Sequence, residues 1–164
     1  MDAAQLPRVG MVNGVAIDVD RARAVASAVV DPEIPVLTVA DLGILRSVEE
    51  NDGRVVVTIT PTYSGCPAMS QITEDVVSAL AREDYQAEVR MRHDPPWTTD
   101  WITEDGMRKL DEFGIAPPTT QHDVVCPRCR ESEPRMVSFF GSTACKALMV
   151  CSSCGEPFDY FKRF

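Results

Sequence analysis

Histidine is nearly absent from this chain. His93 and His122 are the only two, and they make no H-x-x-x-H spacing; no G-x-S-x-G motif occurs either. Histidine-rich metalloenzyme and serine-hydrolase readings therefore lack their residues. Missing too are a glycine loop that would cradle a phosphate, an internal repeat and any long low-complexity tract. No segment approaches the roughly 18 consecutive apolar residues of a membrane span. The opening MDAAQLPRVGMVNG has neither the basic nor the apolar stretch of a secretory signal. The expectation is a cytoplasmic protein without membrane association.

What is present describes a globular chain with a real core: 45% of its 164 residues are hydrophobic and 25% charged. That length suits a compact domain of about 90 to 100 residues plus a smaller appendage. The net charge of −9 is unevenly divided. Residues 1–121 hold 10 basic and 20 acidic side chains, whereas residues 122–164 hold 6 and 5. An acidic body repels polyanions, so nucleic acid is not an expected partner. Six cysteines without an export signal read as thiols and metal ligands rather than as a disulfide framework.

Helical spacing of Ala22, Val25, Ala26, Val29 and Val30 behind Asp18, a plausible N-cap, predicts a helix over 19–30. Asp31-Pro32 ends it, and residues 31–38 should be an extended loop. Runs at 44–49 and 54–60 flank Asn51-Asp52-Gly53, which is hairpin chemistry. Alternation in the second run places Val55, Val57 and Ile59 on one face. Pro67 then opens a helix whose stripe is Met69, Ile72, Val76, Ala79 and Leu80, which puts Cys66 at its N-terminus. A strand near 85–91 completes the order helix, strand, strand, helix, strand. The predicted class is α+β: a small α-β-β-α-β domain over 1–95, a short helix (103–113) and linker within 96–121, and a cysteine ribbon over 122–164.

The strongest chemical signal is Cys126-Pro-Arg-Cys129 and Cys151-Ser-Ser-Cys154, two C-x-x-C knuckles separated by 21 residues. Each two-residue gap lets one turn offer two sulfurs to one ion, and four thiolates suit tetrahedral zinc. So small a unit cannot fold on apolar burial alone, so the metal would supply folding energy. The alternatives are an exchanging redox pair, a cluster site, or iron in the same four sulfurs.

Other residues carry two readings each. Cys66, beside helix amides and the positive end of a helix dipole, reads either as a low-pKa thiolate for soft metals or clusters or as an inert packing residue. Cys145 reads as a buried small residue, or as a second-site ligand or docking contact. Asp31, Glu33 and Asp41 read as turn and cap residues, or as acid–base or metal-binding carboxylates. Trp97 and Trp101 read as packing anchors for the short helix, or as a substrate cage.

Asp31-Pro32-Glu33-Ile34-Pro35, Asp41-Leu42-Gly43 and Thr62-x-x-x-Cys66-Pro67 together resemble the small iron-sulfur assembly domain of SufT-like proteins and cytosolic iron-sulfur targeting factors. The resemblance covers about the first 95 residues. With the run 95–103, the segment 141–148 and both knuckles, the whole chain is similar to the family of D components of bacterial ring 1,2-phenylacetyl-CoA epoxidase complexes, which serve aerobic phenylacetate degradation. The resemblance implies an accessory subunit, not catalytic alone, that assists maturation or maintenance of a di-iron or iron-sulfur centre. It implies oxygenase or reductase subunits as partners. It also implies Cys66, Asp31 and Glu33 at a transient iron or cluster site, and zinc on Cys126, Cys129, Cys151 and Cys154. The E-x-x-H pairs of a di-iron bundle are missing. A scaffold or docking module, or an electron-transfer component, is the alternative role. The hairpin's free sheet edges leave a homodimer open.

Overall fold

The computed structural model describes residues 11–12, 15–119 and 123–164. Most of the N-terminal segment read for a signal, His122, and the far end of the expected linker lie outside the described residues. A two-residue pair, β1 (Met11–Val12) with β2 (Val15–Ala16), precedes helix α1 (Val19–Ser27). The Asp18 carboxylate accepts from the Arg21 amide and caps α1, while Ala22 and Ala26 are fully buried beneath it. The helix stops three residues earlier than its apolar spacing predicts. Val30 is drawn instead into an isolated bridge with Thr38, and the loop expected to be extended folds back on itself: residues 32–36 bend and turn so that the Asp31 amide donates to Leu37 O at 2.8 Å and the Leu37 amide to Ile34 O at 2.9 Å.

Strands β3 (Leu45–Asn51) and β4 (Arg54–Ile59) form the expected antiparallel hairpin. Its turn places Asp52 and Gly53 at positive φ, the backbone twist that a two-residue hairpin demands. Helix α2 (Ala68–Ala81) then crosses over, and β5 (Ala87–Met91) returns parallel to β4. The central strand therefore has neighbours of opposite sense, in the order β3-β4-β5. Val55, Val57 and Ile59 are fully buried against α1 and α2, where their alternation places them.

The chain after β5 wraps back onto this domain. A 3-10 turn (Thr99–Trp101) sets the Trp101 backbone against Gly43, and Arg46 stacks on its indole at 3.6 Å. Gly43 has φ +69° and a Cβ there would lie 2.6 Å from Trp101 Cβ, so the D-L-G sequence uses glycine for close approach as well as for conformation. The indole N–H of Trp97 donates to the Leu42 carbonyl at 2.7 Å. Both tryptophans are packing anchors. Helix α3 (Glu104–Phe113), capped by the Thr103 hydroxyl, ends at Gly114 with φ +90°.

Ile115 and Ala116, expected in a linker, instead form strand β6 (Ile115–Ala116). It pairs in parallel with β9 (Pro157–Phe161), and the sheet continues through β8 (Lys146–Val150) to β7 (Arg135–Ser138), in the order β6-β9-β8-β7. Strand β9 serves two cores. Phe158 and Tyr160 join Ala147, Met149, Cys126 and Cys151 inside the ribbon, whereas Phe161 and the nearby Cys145 belong to the apolar cluster of the first domain. Phe161 lies beside Trp97, ring centroids 6.2 Å apart.

Candidate functional site

The two knuckles repeat one backbone design. In the first, the Cys126 amide donates to Glu131 O and the Arg130 amide returns to Cys126 O, both at 2.9 Å; in the second, Cys151 donates to Glu156 O at 2.9 Å and Gly155 to Cys151 O at 3.0 Å. Each turn needs a left-handed residue right after its second cysteine, and Arg130 (φ 66°) and Gly155 (φ 76°) supply it. The four sulfurs lie within 4.8 Å of one another, with Cys126–Cys154 at 3.9 Å and Cys129–Cys151 at 3.4 Å. A tetrahedron with arms of about 2.3 Å has edges of about 3.8 Å, so the spacing fits a metal held by four thiolates.

The electrostatics agree with that geometry. Amides of Cys154 and Ser153 help pull the Cys151 thiol down to about 6. The Glu131 amide favours the Cys129 thiolate, but burial and three neighbouring sulfurs push Cys129 up to about 12. Four adjacent thiolates repel one another unless a cation sits among them. Among the described residues this is the one group of three or more potential ligands whose donor atoms converge so closely.

A second constellation lies where the two cores meet. A small cavity of about 10 Å³, the room of one water or one ion, is lined by Asp31, Glu33, Thr62, Cys66, Cys145 and Phe161, with apolar side chains behind them. Cys66 stands two residues before α2, whose N-cap is Pro67 rather than the expected first helical residue. Its thiol is not depressed as a helix N-terminus alone would have it. Burial pushes it up, the Ala68 amide and the Tyr63 hydroxyl pull it down, and Glu33 and Asp31 push it up again, leaving it above the ordinary value. Desolvation here outweighs the dipole. Tyr63 is itself pushed up to about 12, by burial and then by Cys66, so its phenol stays protonated and donates toward the sulfur. Cys145, 5% exposed, is likewise raised by burial, with the Thr143 hydroxyl 3.0 Å from its sulfur.

The three carboxylates have separate tasks. Asp31 Oδ1 accepts from the amides of Glu33 and Ile34, both at 2.8 Å, and so shapes the loop that carries Glu33. Burial, then the charge of Asp31, raises the Glu33 carboxyl. Asp41 lies away from the cavity, where Oδ2 accepts from the Thr38 amide (3.0 Å) and pairs with Lys109 (2.9 Å). It is a turn and cap residue. His93 borders a separate shallow recess with Thr60, Ser64 and Trp97.

Beside Tyr63 an open apolar cleft of about 540 Å³ is lined by Met136, Phe139, Phe140, Tyr160 and Phe164. Phe139 and Phe140 are 59% and 64% exposed and stack edge-to-face at 5.3 Å. The Lys162 ammonium lies over both rings, at 4.0 and 4.6 Å, and donates to Phe139 O. Sequence reasoning missed this face and the role of Tyr63. The Phe139-Phe140 doublet before Gly141 was its visible signal.

An α-β-β-α-β domain with a cysteine and two carboxylates at one cavity, followed by a four-cysteine ribbon, is the arrangement of the class that the sequence resembles: an iron-sulfur assembly domain carrying a metal ribbon. Family models agree, with an iron-sulfur cluster assembly protein model matching residues 19–90 and a PaaD zinc beta ribbon domain model matching residues 114–162. The first domain is 40% identical over 75 residues, 44% of this chain and 72% of that protein, to the Fe-S protein maturation auxiliary factor YitW of Bacillus subtilis. A crystal structure from Bacillus anthracis, described as a domain of unknown function DUF59, superposes with a TM-score of 0.52 at 28% identity, over 56% of this chain and 90% of that one. A protein of Escherichia coli K12, named as the D component of 1,2-phenylacetyl-CoA epoxidase, is 46% identical over 147 residues, 85% of this chain and 89% of its own length. The chain belongs to that family, the PaaD family. Among the described residues no helix is long and apolar enough to cross a membrane.

Proposed function

We propose that this chain is an accessory, non-oxygenase subunit of the phenylacetyl-CoA 1,2-epoxidase system in the cytoplasm, and that it assists maturation or maintenance of the system's di-iron or iron-sulfur centre. The supporting observation is the cavity that brings Cys66, Asp31 and Glu33 together inside an iron-sulfur assembly domain. The sulfur sits at a partly exposed position, open to a thiolate-seeking iron or cluster as cargo. The raised thiol favours a transient load, because the proton competes with the metal and helps release it. Cys126, Cys129, Cys151 and Cys154 would hold zinc, whose contribution is to cross-link the knuckles; a closed four-sulfur site leaves no open position for catalysis.

Oxygenase or reductase subunits of the system are the proposed recipients. The test is to isolate those subunits from cells carrying wild type or Cys66→Ala and to measure iron, sulfide and ring epoxidation. Loss of metal and activity in the Cys66→Ala strain is expected; full loading would overturn the maturation role.

The exposed Phe139-Phe140 face favours a second reading, a docking scaffold without metal transfer. On that reading Cys66→Ala is silent, while Phe139→Ser with Phe140→Ser dissociates the complex on size exclusion.

A further inference from the structure

The ribbon does more than sit beside the assembly domain: it closes the cavity in which Cys66 lies. Cys145 is 79 residues further along the chain and stands just before β8, yet it lines the same cavity as Cys66 and is buried in the same apolar cluster. We propose that Cys66 and Cys145 are the two thiol ligands of one composite soft-metal site, with the Glu33 carboxylate as its third ligand. The proposal rests on the maturation reading in placing a metal at Cys66, and adds the ligands that complete the site.

Three features support it. Among the described residues the Glu33 carboxylate makes no hydrogen bond or short ion pair, while the neighbouring Asp31 carboxylate is spent on two loop amides. A part-buried carboxylate that makes no hydrogen bond, feels the charge of Lys146 and lies close enough to influence both thiols is free to turn toward a metal rather than being held as a turn residue. The cavity's size suits a single ion, and Ile34, Leu42, Ile44, Met69, Ile72 and Phe161 form an apolar shell that slows exchange with water. Finally, the ribbon holds Cys145 firmly. Its carbonyl accepts from the Lys162 amide at 2.9 Å, and the adjacent Lys146 pairs with Asp159 at 3.3 Å.

Two thiolates with one carboxylate select a borderline or soft divalent cation, Fe(II), Co(II) or Zn(II), over Mg(II) or Ca(II). As each metal–sulfur bond forms, the thiol's proton passes to bulk water, with no change of oxidation state. The donor atoms do not converge as the knuckle sulfurs do, so capture requires side-chain rotation about the cavity, which one χ angle in cysteine and three in glutamate permit.

The experiment is an anaerobic titration of the zinc-loaded full chain with Co(II), reading thiolate-to-cobalt charge transfer and, separately, zinc per chain. Wild type should take up one cobalt beyond its zinc. Cys66→Ser and Cys145→Ser should each weaken that uptake about 100-fold or more, with the zinc retained. X-ray absorption on the wild-type cobalt adduct, which needs no variant to fold, should show two sulfur neighbours. A single sulfur neighbour, or unchanged uptake by Cys145→Ser, overturns the composite site while leaving the maturation reading intact. No cobalt uptake by wild type also overturns the composite site, whereas the maturation reading falls only if partner subunits from the Cys66→Ala strain are fully loaded.

Discussion

Lys109 Nζ lies 2.9 Å from Asp41 Oδ2 and ties helix α3 to the loop that carries the D-L-G sequence. The same ammonium reaches Asp105 at 2.8 Å, and the Thr103 amide donates to Asp41 O at 2.9 Å, so this corner joins three segments. Burial disfavours the Asp41 carboxylate, but the Thr38 amide and Lys109 more than offset it, and the group ends below its ordinary value.

A carboxyl depressed by folding adds stability that is present above its unfolded value of about 4, and that is lost as pH falls through the folded one. Asp41→Asn should therefore cost about 2 kcal/mol near neutral pH and much less in acid. Urea unfolding of both proteins across acid pH measures this, and an equal penalty at every pH would refute the pairing.

Removing the ribbon metal should unfold more than the ribbon. Structural zinc supplies on the order of 10 kcal/mol to small domains, and β9 carries Phe161 into the other core. Chelation, or Cys126→Ser, should thus diminish the near-ultraviolet dichroism of Trp97 as well as the ribbon's own signals.

Phe161→Ala should cost about 3 to 5 kcal/mol, since it empties a fully enclosed ring site between Trp97 and the thiol cavity. A single unfolding transition at lower temperature is expected by calorimetry. Two separated transitions would instead show that the two cores fold independently.

Gly43→Ala should destabilise by about 2 kcal/mol or more, because the new methyl meets the Trp101 backbone and the residue sits at positive φ. Gly114, also at positive φ but with open space where a Cβ would point, should tolerate alanine better by urea midpoint. Comparable losses at both positions would leave backbone conformation as the whole effect.

The sequence made most of the elements legible because their physics is local. Asp18 and Thr103 cap helices that begin where they stand, Asp52-Gly53 turns the hairpin, and the knuckle spacing marks a metal site by itself. What escaped depends on distant segments meeting. Ile115-Ala116 is too short to announce a strand, and only the arrival of β9 makes it one. The pKa of Cys66 follows from the enclosure that Phe161 and Cys145 complete, which nothing near residue 66 in the chain reveals. Cys145 reads as a buried small residue or as a second-site ligand or docking contact, and its place beside Cys66 depends on the ribbon folding back onto the first domain.

Strand β9 lies inside its sheet, between β6 and β8, although it comes after both in chain order. During vectorial synthesis the earlier strands and all four knuckle cysteines emerge from the ribosome before the strand that must slot between them. Until then β6 and β8 expose unpaired backbone toward an empty lane. Phe161, carried by that last strand, also walls the cavity that holds Cys66 and Cys145, so one segment completes both the ribbon sheet and the thiol enclosure.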